Sequence, residues 1–299
     1  MFHHGRWIAI GVLACAVAAG AGRSIVAQEK PAAPLNIIAF GAHPDDCDIR
    51  AGGVAAKWAA AGHHVRFVSV TNGDAGHQSQ GGGALAARRR AEAREAGRRI
   101  GIDYIVLDNH DGQLMPDLHI REQIIRLIRE WKADLVLGPR TNDYHPDHRY
   151  TGVLLQDAAF MVTVPNIAPD TPALRTNPVF MYFEDGFQKP SPFEPDIAVP
   201  IDDVIEKKLD MIDAHVSQMY EWLPWHAGRL DQVPADPKAR RQWLAKNREF
   251  RVSKVVRDHL VKQLGPEAAA KVRYAEAFEL TEYGRHADEA ELKRLFPFF

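Results

Sequence analysis

The strongest constraint on this chain is a short polar sequence that directly follows an apolar run. Residues 35–40 (LNIIAF), bounded by Gly41, are typical of a buried parallel strand. Residues 42–48 (AHPDDCD) come next, and apolar side chains then recur at helical spacing over 54–59. The pattern predicts a strand, a loop and a helix. One imidazole and three carboxylates then lie at the carboxyl end of a first strand, the edge where open α/β sheets bind ligands.

A second polar cluster follows another apolar strand. Residues 142–148 (NDYHPDH) come after residues 134–138 (DLVLG). Catalytic zinc sites use three protein ligands and leave one position for water. His43, Asp46 and either of the two histidines in the second cluster, His145 or His148, would supply such a set. The neighbouring carboxylate, Asp45, would remain free to act as a base toward the water that such a metal activates.

The first cluster also allows other interpretations. Cys47 is a rival ligand, because thiolate suits zinc. We prefer Asp46, because His43 and a carboxylate three residues later can both reach one cation from a tight turn. An Asp after a strand is commonly a helix N-cap, and we interpret Asp48 in that way.

Together the motifs AHPDD and HPDH, in this order, resemble those of the PIG-L/LmbE-like zinc-dependent de-N-acetylases. The resemblance extends over about residues 35–220. It implies that His43, Asp46 and His148 hold one Zn²⁺ per chain, and that Asp45 is the general base.

The resemblance also implies roles for the second motif. His145, as an imidazolium, or the zinc itself would hold the oxyanion, and Asp147 would orient His145. Some members of the family place a tyrosine two residues before this histidine, whereas this chain has Asp143 there and Tyr144 one residue later. A tyrosine role at the oxyanion therefore does not carry over.

Three further residues are predicted to bind substrate. In the resembled family the arginine at the position of Arg88 faces the substrate, although Glu92 four residues later also allows a surface ion pair. Asp111 follows a third apolar strand and so lies at the same carboxyl edge. His215, within a His-x-Ser-Gln sequence that resembles the family's C-terminal helix, is predicted to lie near the cleft.

The rest of the chain alternates strands and helices. Strands are predicted at 64–71, 104–107, 134–138, 179–183, 196–199 and 274–280, and helices at 85–100, about 120–131 and 149–161. Such alternation predicts an α/β fold, a Rossmann-like and mostly parallel sheet with helices on both faces, as a single domain with a helical C-terminal extension. If the first and fourth strands are neighbours, the two polar motifs meet where the strand order reverses.

Composition and the N-terminal sequence indicate which partners and which cellular location to expect. With 299 residues, 25% charged residues and a formal net charge of −2, the chain gives no indication of nucleic-acid binding. Residues 1–27, with one n-region arginine and an apolar run, predict a signal peptide, followed by a linker at 28–34 and a domain at 35–299. Export is expected, and an uncleaved membrane anchor is the alternative. Of the two cysteines, only Cys47 would remain after cleavage, so no intramolecular disulfide is expected.

The resemblance implies a hydrolase that acts on linear amide C–N bonds and removes acetyl from an N-acetylated amino sugar or related glycoconjugate. A zinc amide hydrolase with a non-sugar small-molecule substrate is one alternative. A non-catalytic zinc-dependent binding protein is another, against which Asp45 argues, because binding needs no spare carboxylate. A dinucleotide-dependent dehydrogenase is excluded, because no Gly-x-Gly-x-x-Gly follows the first strand.

Overall fold

The computed structural model describes residues 1–2, 33–247 and 250–298. Residues 34–299 form one compact unit, which contains the elements below. The predicted signal peptide and linker fall almost entirely outside the described residues. Within the described part of the chain, no helix is long and apolar enough to cross a membrane.

The described residues form a seven-stranded sheet in the order β3-β2-β1-β4-β5-β7-β6. The strands are β1 (Asn36–Gly41), β2 (His64–Thr71), β3 (Asp103–Asn109), β4 (Leu135–Gly138), β5 (Val179–Phe183), β6 (Ile197–Pro200) and β7 (Ala275–Gly284). Strands β1 to β5 are parallel, and β7 is antiparallel to both β5 and β6. Strand β1 pairs with both β2 and β4, so Ile38 lies between Arg66 and Val136. The strand order therefore reverses at β1, as the position of the two motifs requires.

Helices connect the strands and cover both faces of the sheet. They are α1 (Asp46–Ala60), α2 (Gly82–Ile100), α3 (Leu118–Trp131), α4 (Pro146–Met161), α5 (Ile205–Asp213), α6 (Leu223–His226), α7 (Pro237–Asn247), α8 (Lys254–Leu264), α9 (Pro266–Lys271) and α10 (Glu289–Leu295). A π-helix, Ser217–Trp222, lies between α5 and α6, and a short 3₁₀ helix spans Leu230–Gln232.

The central strand explains why the sheet is covered on both sides. Ile37 of β1 packs into a core that includes Trp58 of α1, whereas Ile38 packs into a second core with Ile124 of α3 and Leu154 of α4. A strand that is apolar on both faces is stable only between two layers. The predicted mostly parallel α/β fold with helices on both faces is confirmed.

A buried ion pair joins the last third of the chain to α1. Lys208 of α5 and Glu276 of β7 are both 3% exposed, with Lys208 Nζ 2.6 Å from Glu276 Oε1. Lys208 also donates to the carbonyl of Ile49 at 2.8 Å, and Glu276 accepts from the amides of Gly53 and Val54 at 2.9 and 2.7 Å. Buried charges are tolerated when they are paired and hydrogen-bonded. This pair, which we call the α1 clamp, satisfies backbone groups in the middle of α1.

Candidate functional site

The first motif forms a tight turn between β1 and α1. The amide of His43 donates to Asp46 Oδ2 at 2.8 Å, which fixes the aspartate against the strand end. Asp45 precedes α1 with a φ of 153°, a backbone conformation that costs free energy in a non-glycine residue. Such a conformation persists only where the surrounding contacts hold it in place. Here it directs the adjacent carboxylates of Asp45 and Asp46 into different surroundings.

Three side-chain atoms from the two motifs converge. His43 Nδ1 lies 3.2 Å from His148 Nε2 and 3.6 Å from Asp46 Oδ2, and His148 Nε2 lies 3.3 Å from the same oxygen. Tetrahedral ligands at about 2.1 Å from a zinc ion would be about 3.4 Å apart. This triangle of donor atoms therefore fits a Zn²⁺ ion, and it contains His148 rather than His145.

The other ring nitrogen of His43 is held by two carboxylates. His43 Nε2 lies 3.1 Å from Asp111 Oδ1 and 3.2 Å from Asp147 Oδ2. Asp147 is fully buried and accepts from the amides of Gly112 and Leu114 at 2.7 and 3.3 Å. Carboxylates in this position fix the orientation of a metal-binding histidine. His43, Asp111, His145 and Asp147 also make up a second group of closely spaced donor atoms.

Two details predicted for the second motif need correction. The carboxylate of Asp147 contacts His43 and not His145, because His145 instead caps α4 by accepting the Asp147 amide at its Nδ1, at 3.2 Å. Burial and the nearby charge of His43 lower the pKa of His145, which favours the neutral ring. A neutral ring whose Nδ1 accepts carries its proton on Nε2, so the contact and the lowered pKa favour a neutral His145 donor over the expected imidazolium.

The carboxylates make the triangle strongly attractive to positive charge. Burial disfavours the charged form of His148, but Asp46 and Asp143 outweigh it and raise its pKa to about 9. Asp143 Oδ1 lies 3.0 Å from His148 Nδ1 and orients that ring. Burial likewise disfavours a charged His43, yet Asp111, Asp147 and Asp46 hold its pKa well above the usual value. A divalent cation would meet the same negative potential.

Asp45 lies beside the triangle without belonging to it. Burial raises the pKa of its carboxyl group, and the charge of Arg89 partly offsets that effect. Arg89 Nη2 lies 3.5 Å from Asp45 Oδ1, and Arg89 Nη1 lies 3.6 Å from Asp111 Oδ2. The site thus keeps a second carboxylate that is free to exchange a proton.

The arginine at the site is Arg89, which the sequence reasoning missed. Arg88, predicted to face substrate, instead forms a two-point ion pair with Glu221 at 2.6 and 2.8 Å and a further pair with Glu92 at 3.2 Å. The sequence did indicate that Arg89 is buried, because Arg89 lies on the same face of α2 as Leu85 and several alanines. An arginine on a buried stripe indicates a specific partner.

His215 also differs from its prediction. It is completely buried and so cannot line an open cleft; its Nε2 lies 3.2 Å from Asp48 Oδ1. Asp48 is not an N-cap, because it lies inside α1, where its carboxylate accepts from the Tyr104 hydroxyl at 2.8 Å. Cys47 faces the carbonyl of Val68 in the core, and burial raises the pKa of its thiol, which disfavours the thiolate that a metal would need.

Comparison with known proteins agrees with this geometry. Residues 38–159 match the family model described as PIG-L: GlcNAc-PI de-N-acetylase. The chain is 32% identical over 196 residues to the diacetylchitobiose deacetylase of Thermococcus kodakarensis, covering 61% of this chain and 70% of that protein. The protein belongs to the PIG-L family. Within this PIG-L protein, the family match contains the whole triangle of donor atoms.

Solved structures extend the likeness to most of the PIG-L protein. The N,N′-diacetylchitobiose deacetylase from Pyrococcus horikoshii has 25% sequence identity and a TM-score of 0.61, over 82% of this chain and 83% of that chain. GalB, the 4-carboxy-2-hydroxymuconate hydratase of Pseudomonas putida, has 20% identity and a TM-score of 0.61, over 85% and 99% of the respective chains. At that identity GalB shows the shared fold alone, so the activity has to be argued from the site.

Proposed function

We propose that this protein is a zinc-dependent hydrolase that removes acetyl from an N-acetylated amino sugar or a related glycoconjugate. The observation that carries the proposal is the triangle of His43, Asp46 and His148, whose donor atoms lie 3.2 to 3.6 Å apart with Asp45 beside them. The similar proteins from Thermococcus and Pyrococcus are both named diacetylchitobiose deacetylases, which supports an amino-sugar substrate.

The residues present divide the work of amide hydrolysis. When bound, Zn²⁺ supplies Lewis acidity, which polarises an amide carbonyl and makes a water molecule more acidic. Asp45 accepts the proton of the attacking water and returns it to the amine that leaves. His145, whose ring centroid lies 4.6 Å from that of His43, donates its Nε2 proton to the oxygen where negative charge develops.

The polar groups beside the triangle suit a hydroxyl-bearing substrate. Asp111 can accept hydrogen bonds next to His43, and the buried Arg89 lies 3.6 Å from its other oxygen and fixes its orientation. Fixed, buried polar groups discriminate strongly between substrates that satisfy them and those that do not. We further propose that the protein is exported, on the basis of the arginine and apolar run within residues 1–27.

A substrate panel tests the proposed activity. Zinc-loaded and chelated protein would be assayed for free amine and acetate released from N-acetylglucosamine, diacetylchitobiose and N-acetylated amines without a sugar ring. We expect release from the sugars by the zinc-loaded protein only. Hydrolysis of the non-sugar amides alone would refute an amino-sugar substrate and show that the protein acts on other small amides. Tight zinc binding with no hydrolysis of any amide would refute the enzyme in favour of a binding protein.

A further inference from the structure

A small pocket adjoins the metal triangle on the side of β4 and β5. Its walls include Asp46 and His148, and the apolar part is formed by Ala42, Pro139 and Phe183 at the ends of three strands. The cavity volume is about 20 Å³. A cavity needs about 10–15 Å³ on this measure to hold one water molecule, so the pocket has room for a group the size of a methyl.

Arg50 forms one wall of this pocket. It lies four residues after Asp46 on α1, so both side chains share a helix face. Its Nη1 donates to the carbonyl of Glu184 at 2.8 Å. Within the described part of the chain, no carboxylate lies within 4.0 Å of this guanidinium. Since an arginine carries five N–H donors, most of them remain for a ligand.

The other charged groups of the pocket already have partners. Arg140 binds Asp185 through two contacts of 2.6 Å, and Asp143 faces His148 at 3.0 Å. Burial acts to raise the pKa of both Asp143 and Glu184 and the charge of Arg50 acts to lower it, but among the described residues neither carboxyl group comes within ion-pair distance of Arg50. The pocket therefore has a cation that a small anion could contact directly.

The pocket lies on a different side of the triangle from the proposed base, Asp45, and from Asp111 and Arg89. None of these three residues forms part of its walls, whereas Asp46 and His148 do. An amide carbonyl held at the triangle would direct its amine side toward Asp45 and its acyl side toward Arg50.

We infer that this pocket receives the acyl group of the scissile amide and that Arg50 binds the carboxylate released. The inference rests on the proposed function and specifies its acyl selectivity. In the reaction, the water oxygen bonds to the carbonyl carbon, the C–N bond breaks and both protons of the water end on the amine. The amine leaves as an ammonium ion and the acid leaves as a carboxylate, whose negative charge Arg50 faces. The small size of the pocket favours a short acyl group such as formyl or acetyl.

The first test measures product binding. Acetate is titrated into zinc-loaded protein by calorimetry and is also assayed as an inhibitor of deacetylation. Arg50→Met removes the charge but keeps the length of the side chain, and we expect acetate to bind about tenfold more weakly or worse, the scale of one lost charge-assisted hydrogen bond. The control is Arg90→Met, which removes a partly exposed arginine 3.0 Å from Asp108, and it should bind acetate as the parent does.

The second test measures acyl length. For N-formyl, N-acetyl, N-propionyl and N-butyryl forms of one amino sugar, kcat/KM should fall about tenfold or more for each methylene beyond acetyl. Arg50→Ala enlarges the pocket and should raise the propionyl-to-acetyl ratio about tenfold. A merely structural role for Arg50 would lower all four rates together and leave this ratio unchanged.

Zinc content and acetate titration separate the two proposals. If the parent hydrolyses no N-acetyl sugar, the proposed function fails, while the calorimetric comparison still tests the pocket. Unchanged acetate binding in Arg50→Met, together with an unchanged acyl ratio in Arg50→Ala, overturns the pocket. Loss of zinc from Arg50→Met also overturns it, because Arg50 would then support the metal and not the acid.

Discussion

Replacing Asp45 by Asn separates the proposed base from the neighbouring ligand. Asn keeps the size and polarity of the side chain but cannot accept a proton at neutral pH. Asn and Asp tolerate positive φ to a similar extent, so the φ of 153° at this position gives no reason for the variant to fold worse than the parent. Asp45 belongs to neither group of metal-donor atoms, so we expect Asp45→Asn to retain zinc.

The size of the effect follows from the role. A general base contributes about 10²–10⁴-fold, so kcat should fall at least about a hundredfold, or about 3 kcal/mol of transition-state stabilisation. The stability of Asp45→Asn, in contrast to its activity, should not decrease. Burial raises the pKa of Asp45 in the folded state, so its contribution to stability is present at acidic pH and lost as pH rises through that pKa. At neutral pH a neutral Asn is therefore not penalised, and we expect the melting temperature not to fall.

The assay pairs activity with metal content, and Asp46→Asn is the matched comparison. Asp46 Oδ2 lies 3.3 Å from His148 Nε2 within the triangle, so its replacement should lower zinc affinity as well as activity. Zinc loss from Asp45→Asn with retention in Asp46→Asn would show that the two roles are exchanged. Full hydrolysis by Asp45→Asn would place the base elsewhere, with His145 as the next candidate.

Three further predictions concern the metal, the N-terminus and the α1 clamp. His148→Ala should lower zinc content severely, and full occupancy by metal analysis would refute the ligand set. N-terminal sequencing of protein from an exporting host should give a mature chain that begins near Gln28, and an intact Met1 in cytoplasmic protein would contradict export. Lys208→Met should leave Glu276 as an unpaired buried charge and lower the free energy of unfolding by about 3–5 kcal/mol in denaturant titration. A Lys208→Met variant as stable as the parent would show that the clamp contributes nothing measurable.

The fold could be predicted from the sequence because the apolar pattern of each strand is a local signal and because parallel crossovers restrict the order of the strands. Each of β1 to β5 appears as an apolar run followed by polar residues, and β1 between β2 and β4 is what parallel crossovers favour. The position of β7 between β5 and β6 could not be read from the sequence, because an antiparallel strand near the C-terminus can pair with any free edge. The π-helix at Ser217–Trp222 likewise depends on tertiary packing.

In the candidate site, the prediction of which side chains meet was correct where a motif coincides with a strand end. His43, Asp46 and His148 meet because the ends of β1 and β4 are adjacent. It failed where the direction of a helical side chain decides: Arg88 and Arg89 are neighbours in sequence, yet one pairs at the surface and the other is 2% exposed beside Asp45. A rotation of about 100° per residue gives adjacent arginines different environments.

The α1 clamp makes the candidate metal site depend on residues that lie far along the chain from its donor atoms. Residues 38–159 contain every donor of the triangle, but the clamp reaches α1 from 159 and 223 positions further along the chain. A chain shorter than 208 residues lacks both Lys208 and Glu276, and each hydrogen bond to a charged group contributes about 1.5–3 kcal/mol. Together these contacts are a substantial part of the stability of a typical domain. A fragment that ends at residue 200 should therefore bind zinc far more weakly than the full chain, because the proposed metal site needs contacts from α5 and β7 as well as its own donor atoms.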